Sequence, residues 1–182
     1  MGLTLQFLTG KGVFAREGLD EGTRLLLQQF LAAKPSEYAG DIVDLGCGWG
    51  AIAAFVAARY RECRVWAVDL NPRAAQLTRH NLNRNELTNT HVWSGDGLAA
   101  TRLGWADVVL CNPPVRAGNA AIAELFAGAS AALREGGELW VVLRTAQGAK
   151  SWAKRLEASF GNCETVALDR GYRVLKSVKG AP

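Results

Sequence analysis

The chain has 182 residues, a net charge of +4, four cysteines and 49% hydrophobic residues. That length suits one domain with a real core, and no apolar run is long enough to span a bilayer. The N-terminus lacks the basic, apolar and small-residue succession of a signal peptide, so the cytosol is the expected compartment. Cys47, Cys63, Cys111 and Cys163 are scattered without a C-x-x-C pair, which indicates neither a zinc site nor a disulfide frame. The positive charge is uneven: from Arg144 onward eight Lys/Arg stand against three acids. A basic end of this kind suits a polyanionic partner such as RNA, or a surface that is simply well solvated.

In chain order, Leu3-Thr4-Leu5-Gln6-Phe7 alternates weakly and predicts a short strand, with Gly10 to Phe14 as a turn and a second extended piece. Leu25, Leu26, Leu27, Phe30 and Leu31 give an apolar face to a helix over about 19–33, which Pro35 stops. Strand–helix alternation then begins. Strands are expected at 42–45, 64–68, 90–93, 106–111 and 138–143. Helices are expected at about 50–60, 71–85, 119–133 and 149–160. Asn71-Pro72 supplies a cap and a first-turn proline for the second of these core helices. Arg134-Glu135-Gly136-Gly137 reads as a turn before the nearly all-apolar fifth strand. The last two strands, 164–168 and 172–178, flank the hairpin signal Asp169-Arg170-Gly171, so the final strand should run antiparallel to its neighbour. The expected fold is α/β and Rossmann-like. It is a doubly wound, mostly parallel seven-stranded sheet with an antiparallel last strand, helices on both faces, and a short N-terminal strand and helix as an extension. The expected organisation is a single domain, with 1–40 as the extension and 41–182 as the core.

The stretch that organises the chain is Asp41-Ile-Val-Asp44-Leu-Gly46-Cys-Gly48-Trp-Gly50. A β-branched run ends in an acid, and a glycine-rich turn then opens a helix. Glycine suits a tight strand-to-helix turn that needs positive φ and that a ligand approaches along bare backbone. Gly46-x-Gly48-x-x-Ala51 also satisfies a dinucleotide-binding fingerprint. Asp44 discriminates: a carboxylate at the mouth of the turn repels a pyrophosphate and attracts a cationic ligand, such as one carrying a sulfonium and an α-ammonium group. Asp69 follows the second strand, 25 residues after Asp44, near the interval at which such an acid meets a ribose. Gly95-Asp96-Gly97 follows the third strand and Asn112-Pro113-Pro114-Val115 the fourth. One acid at a strand end is commonly only a turn former. Four polar strand ends in succession converge on one crevice, where sheets of this type bind ligands.

The pattern Asp44-x-Gly46-x-Gly48-x-Gly50 resembles the first motif of class I S-adenosylmethionine-dependent methyltransferases. Asn112-Pro113-Pro114 resembles the Asn-Pro-Pro-aromatic motif of members that act on exocyclic or amide nitrogens. Such a nitrogen is a poor nucleophile because its lone pair is delocalised. Two fixed carbonyl oxygens, from the Asn112 side chain and the Pro113 backbone, can grip its N–H groups and favour the charge-gaining transition state. Lys11-Gly12-Val13-Phe14, Gly18 to Thr23, Asn112 to Gly118, Leu139 to Lys150 and Gly171 to Ser177 are similar to the "methyltransferase small" family. That family contains the guanine-N2 methyltransferases of small-subunit rRNA. The resemblance implies S-adenosylmethionine as cofactor, with S-adenosylhomocysteine as product. It places the cofactor among Phe14, Asp44, Gly46, Gly48, Gly50, Asp69, Leu70, Asp96, Gly97 and Asn112. Asp69 would take the ribose hydroxyls, Asp96 the adenine amino group, and Leu70 and Leu98 the adenine faces. Asn112, Pro113 and Pro114 would be catalytic. RNA, as rRNA or a ribosomal subunit, would be the partner. Val115 departs from the family's aromatic, which stacks on the target base; Arg116, Phe14 or a tryptophan is a candidate replacement. Val115, Arg116, Arg144 and Gln147 are expected at the substrate mouth, with Lys150 nearby. The alternatives are a methyltransferase acting on a protein glutamine amide, a nicotinamide-dependent oxidoreductase and a non-catalytic RNA-binding module. Cys111 reads as a core thiol, His80 as a helix-surface residue and His91 as a strand-edge residue.

Overall fold

A computed structural model describes residues 4–8, 19–114 and 118–180. The first helix, α1 (Glu21–Ala33), is capped by Asp20, whose side chain accepts from the Thr23 amide. It ends at Lys34, which takes an extended conformation before Pro35. The core follows as β1 (Asp41–Leu45), α2 (Ala51–Arg59), β2 (Arg64–Asp69), α3 (Pro72–Arg84), β3 (Thr90–Ser94), β4 (Ala106–Cys111), α4 (Gly118–Ala132), β5 (Leu133–Arg144), α5 (Ala149–Phe160), β6 (Glu164–Asp169) and β7 (Tyr172–Val178). The sheet order is β3-β2-β1-β4-β5-β7-β6. β7 runs antiparallel between β5 and β6, and the other neighbouring pairs are parallel. The expected seven-stranded, mostly parallel sheet is therefore the observed one.

Two apolar layers flank the sheet. Leu26 and Phe30 of α1 pack with Ala53 and Val56 of α2 and Leu82 of α3 against Ile42, Val108 and Trp140. On the opposite face Phe126 of α4 and Trp152 and Leu156 of α5 pack against Val43, Val109 and Val141. Strands β1 and β4 are buried on both faces, which is why they are mostly apolar, with acids only at Asp41, Asp44 and Asp107. β1 pairs with β2 on one side and with β4 on the other, so the chain steps outward to β3 and then returns across β1. That reversal opens a crevice beyond the carboxyl ends of β1 and β4.

Two expectations need correction. Residues 4–8 form no strand; they lie against the end of α3, and Gln6 and Leu8 satisfy their backbone with side-chain amides. Asn81 Nδ2 donates to the carbonyls of Leu8 and Trp49, and its Oδ1 accepts from the Leu8 amide. Asn85 treats Gln6 in the same way. Two polar helix positions thus take the place of a neighbouring strand. Residues 134–137, expected as a turn, lie inside a longer β5, where the register against β4 shifts and Gly136 and Gly137 bond to Lys179. The segment 10–14 falls outside the described residues.

Asn81 is fully buried and ties the N-terminal segment to the glycine turn. Asn81→Ala is expected to cost about 2–3 kcal/mol, because it abandons the buried Trp49 carbonyl and both half-buried backbone groups of Leu8. Urea unfolding measures this, and a loss below about 0.5 kcal/mol contradicts the reading.

Candidate active site

Asp44 lies in β1 with its side chain turned toward α2 and is 1% exposed. Its Oδ2 accepts from the Ala53 amide in the first turn of α2 at 2.9 Å. Its Oδ1 is buried with no partner among the described residues. Burial pushes this carboxyl up from 3.8 to about 7; the Ala53 bond opposes the shift and the nearby Asp69 charge adds to it. A buried acid that keeps an unpaired oxygen is stable as a carboxylate only when a cation comes to it.

The turn after β1 is held to the end of β2. The amides of Gly46 and Cys47 donate to Val68, and the Gly48 amide donates to Asp69 Oδ2 at 2.9 Å. Gly48 has φ +58, and a Cβ there would meet nothing within 4 Å, so bare backbone faces open space. Gly50 is glycine for the opposite reason: at φ +88 a Cβ would lie 2.9 Å from the Thr78 side chain of α3. Gly46 also stands at positive φ with open space beside it. Asp69 Oδ1 accepts from the Asn71 amide. A carboxylate offers four lone-pair positions, so two remain for a diol.

Parallel pairing of β3, β2, β1 and β4 sets Asp44, Asp69, Asp96 and Asn112 along one edge of the sheet, as expected. Leu70 is 69% exposed beside Asp69, and Asp96 is exposed next to Gly97, which has φ +61. Leu98 is instead buried in the core with Val68 and Phe126. Pro113 is buried, and Pro114 is exposed. Phe14, Val115 and Arg116 lie outside the described residues. Arg144 and Gln147 are exposed at and beyond the end of β5, on the same edge. Arg144 donates to the Tyr172 hydroxyl at 2.9 Å and lies over that ring. Cys111 is fully buried, and burial pushes its thiol up, as befits a core residue. Part of the basic excess is spent internally: Arg170 pairs with Glu21, and Lys176 with Glu138.

Sequence reasoning missed the support behind Asn112. Its Nδ2 donates to Thr23 Oγ1 at 2.9 Å and faces Asp20 Oδ1 and Oδ2 at 3.3 and 3.5 Å. Among the described residues no donor bonds its Oδ1. Asp20 falls inside the helix expected over about 19–33, and a contact across 92 positions carries no local signal. Grooves of about 630 Å³, between α4 and α5, and 600 Å³, over Trp66, Trp93 and Trp105, lie away from this edge and include none of the acids at the crevice.

An orphaned carboxylate beside a turn of open glycine backbone, a second acid and an amide oxygen just past the neighbouring strand suit the cationic methyl donor of class I S-adenosylmethionine-dependent methyltransferases. The chain belongs to the methyltransferase small domain family, whose model matches residues 4–176. It is 32% identical to uncharacterised protein YbxB of Bacillus subtilis (strain 168), over 95% of this chain and 85% of that one. It is 37% identical to ribosomal RNA large subunit methyltransferase G of Streptomyces avermitilis, over 92% of this chain and 44% of that one. Its fold matches the 16S rRNA N2 G1207 methyltransferase RsmC of T. thermophilus, solved in complex with AdoMet and guanosine. That match has a TM-score of 0.81 and 27% identity over 92% of this chain and 45% of that one. The chain thus spans about half the length of these two rRNA methyltransferases. The cofactor is S-adenosylmethionine, and this residue set fits its cationic groups. No described helix is long and apolar enough to cross a membrane.

The Asp44 shift has a definite sign. The folded state holds its proton more tightly than the unfolded chain, so the associated stability is present below pH 4 and is lost as pH rises to about 7. Measured against Asp44→Asn by urea unfolding without cofactor, the wild type should lose up to about 4 kcal/mol between those limits and stay level above them. A difference independent of pH would contradict a buried, raised Asp44.

Proposed function

We propose that the enzyme methylates an exocyclic base nitrogen in RNA, with the N2 amine of guanine as the target. The observation that carries this is Asn112: its amide nitrogen is consumed by Thr23 and Asp20, which leaves its oxygen to accept. An accepting oxygen beside a cofactor crevice suits an amino group, which offers N–H donors and gains positive charge during transfer. The names of two relatives, an rRNA large-subunit methyltransferase and an rRNA N2-guanine methyltransferase bound to guanosine, favour a nucleobase amine over a glutamine amide.

In this reading Asp44 holds the cationic end of the cofactor, Gly46 and Gly48 let it approach the backbone, and Asp69 accepts from the ribose hydroxyls. Asp96 and Gly97 meet the adenine, with Leu70 over its ring. Asn112 Oδ1 and the Pro113 carbonyl orient the amine in line with the methyl, and proline's fixed φ keeps that carbonyl in place. When bound, S-adenosylmethionine supplies an electrophilic methyl: the nitrogen lone pair forms the N–C bond, the C–S bond breaks with its electrons left on sulfur, and the nitrogen then sheds a proton to solvent. No strong base is assigned, since the methylated nitrogen is itself acidic. Arg144 and Gln147, with Val115, Arg116 and Phe14 of the segments outside the described residues, complete the substrate mouth. The compartment that follows is the cytoplasm.

Asp69→Ala should weaken S-adenosylmethionine binding by about tenfold or more, through loss of hydrogen bonds to a charged acceptor. Titration calorimetry reads it, and an unaltered affinity counts against the ribose role. Asn112→Ala should leave that affinity within about threefold and lower turnover by about 10²-fold or more. Incubating RNA and protein fractions from cells lacking the gene with tritiated S-adenosylmethionine tests the substrate class. Label in rRNA as N2-methylguanine supports the proposal, and label only in protein overturns it.

A further inference from the structure

We infer that Asp20 and Thr23, at the start of α1, are positioning residues that lock the Asn112 amide with its oxygen toward the substrate and polarise it during transfer. This deepens the proposed methyl transfer to an amine and rests on that reading. A primary amide is nearly symmetric in shape, so a half-turn about χ2 would swap Asn112 Oδ1 for Nδ2 and present a donor to a donor. The Asp20 carboxylate can only accept. It stands at 3.3 and 3.5 Å from Nδ2, and Thr23 Oγ1 at 2.9 Å takes the other amide hydrogen. The flipped rotamer would set an amide oxygen against a carboxylate, which is repulsive. Only one orientation is compatible with these neighbours.

The pair is itself held. Asp20 Oδ1 accepts from the Thr23 amide at 3.1 Å, and the Arg24 amide closes on the Asp20 carbonyl at 2.9 Å, so both residues belong to one helix cap. Behind them, Gly22 lies so close to Tyr172 that a Cβ would come within 2.8 Å of its ring, which fixes the approach of α1 to the sheet. The consequence is electrostatic as well as steric. Donation from Nδ2 to an anion draws the amide toward its charge-separated form and makes Oδ1 a stronger acceptor as the amine becomes cationic. α1 therefore serves two layers of the molecule: its apolar face builds the core, and its cap aims the amide on β4.

Asp20→Asn tests this cleanly, because asparagine caps helices as well as aspartate does yet brings an NH₂ that rewards the flipped Asn112. The assay uses tritiated S-adenosylmethionine and total RNA from cells lacking the gene. We expect kcat to fall by about 10²-fold, with KM for RNA, calorimetric affinity for S-adenosylmethionine and the unfolding midpoint little changed. In ¹H–¹⁵N spectra the side-chain amide signals of Asn112, identified by their loss in Asn112→Ala, should move upfield as the charged acceptor is lost. Thr23→Val, which removes one acceptor, should lower kcat by about tenfold and serves as the decisive variant if Asp20→Asn folds poorly. Turnover within threefold of wild type in the folded variant, with unmoved amide signals, overturns the inference while Asn112→Ala remains defective. If Asn112→Ala is itself active, the proposed role of Asn112 falls first, and this inference falls with it.

Discussion

A carboxylate that has been taken out of water and left one bond short is the constraint around which this molecule is arranged. Asp44 is buried at the point where the chain reverses direction across its sheet, and the Ala53 amide satisfies only one of its oxygens. A core tolerates such a group poorly, and a hydrophobic residue in β1 would pack better. Its presence makes the crevice hungry for positive charge. The neighbouring Asp69 deepens that field, and the glycine turn clears backbone for a ligand to reach it. Fold and cofactor meet at this residue: strand pairing fixes where the acid lies, and the acid decides which class of ligand the crevice takes.

The second half of the site depends on an element outside the nucleotide-type core. Helix α1 packs across β5 and β7, with Phe30 edge-on to Trp140, which brings its capped end to the carboxyl edge of the sheet. There Asp20 and Thr23 meet Asn112. The cofactor side is thus supported by β1, β2 and α2, and the substrate side by β4 and α1. The two halves share the step from β1 to β4, so a shift in either strand register would misalign donor and acceptor together.

Much of this was legible from residue order. Asp44, Asp69, Asp96 and Asn112 each fall at or just beyond a strand end, and parallel pairing alone puts successive strand ends on one edge. The hairpin around Gly171 announced the antiparallel β7. Other features were illegible for physical reasons. Residues 4–8 alternate like a strand, yet their backbone partners are the side chains of Asn81 and Asn85, and nothing local distinguishes those asparagines from solvated helix positions. Gly136-Gly137 reads as a turn because glycine favours turns, whereas here it allows a register shift within β5. Leu98 is expected against an adenine face, but the descent of the chain after β3 buries it. The Asp20–Asn112 contact joins segments that only the finished fold brings together.

Proton linkage to cofactor binding tests the central claim most directly. A cation placed beside Asp44 should strip its proton, so titration calorimetry with S-adenosylmethionine in buffers of different ionisation enthalpy should report release of a large fraction of one proton between about pH 6 and 7. The release should vanish well above that range and be absent in Asp44→Asn. Binding that moves no proton at any pH, or a release that survives the substitution, would contradict the account.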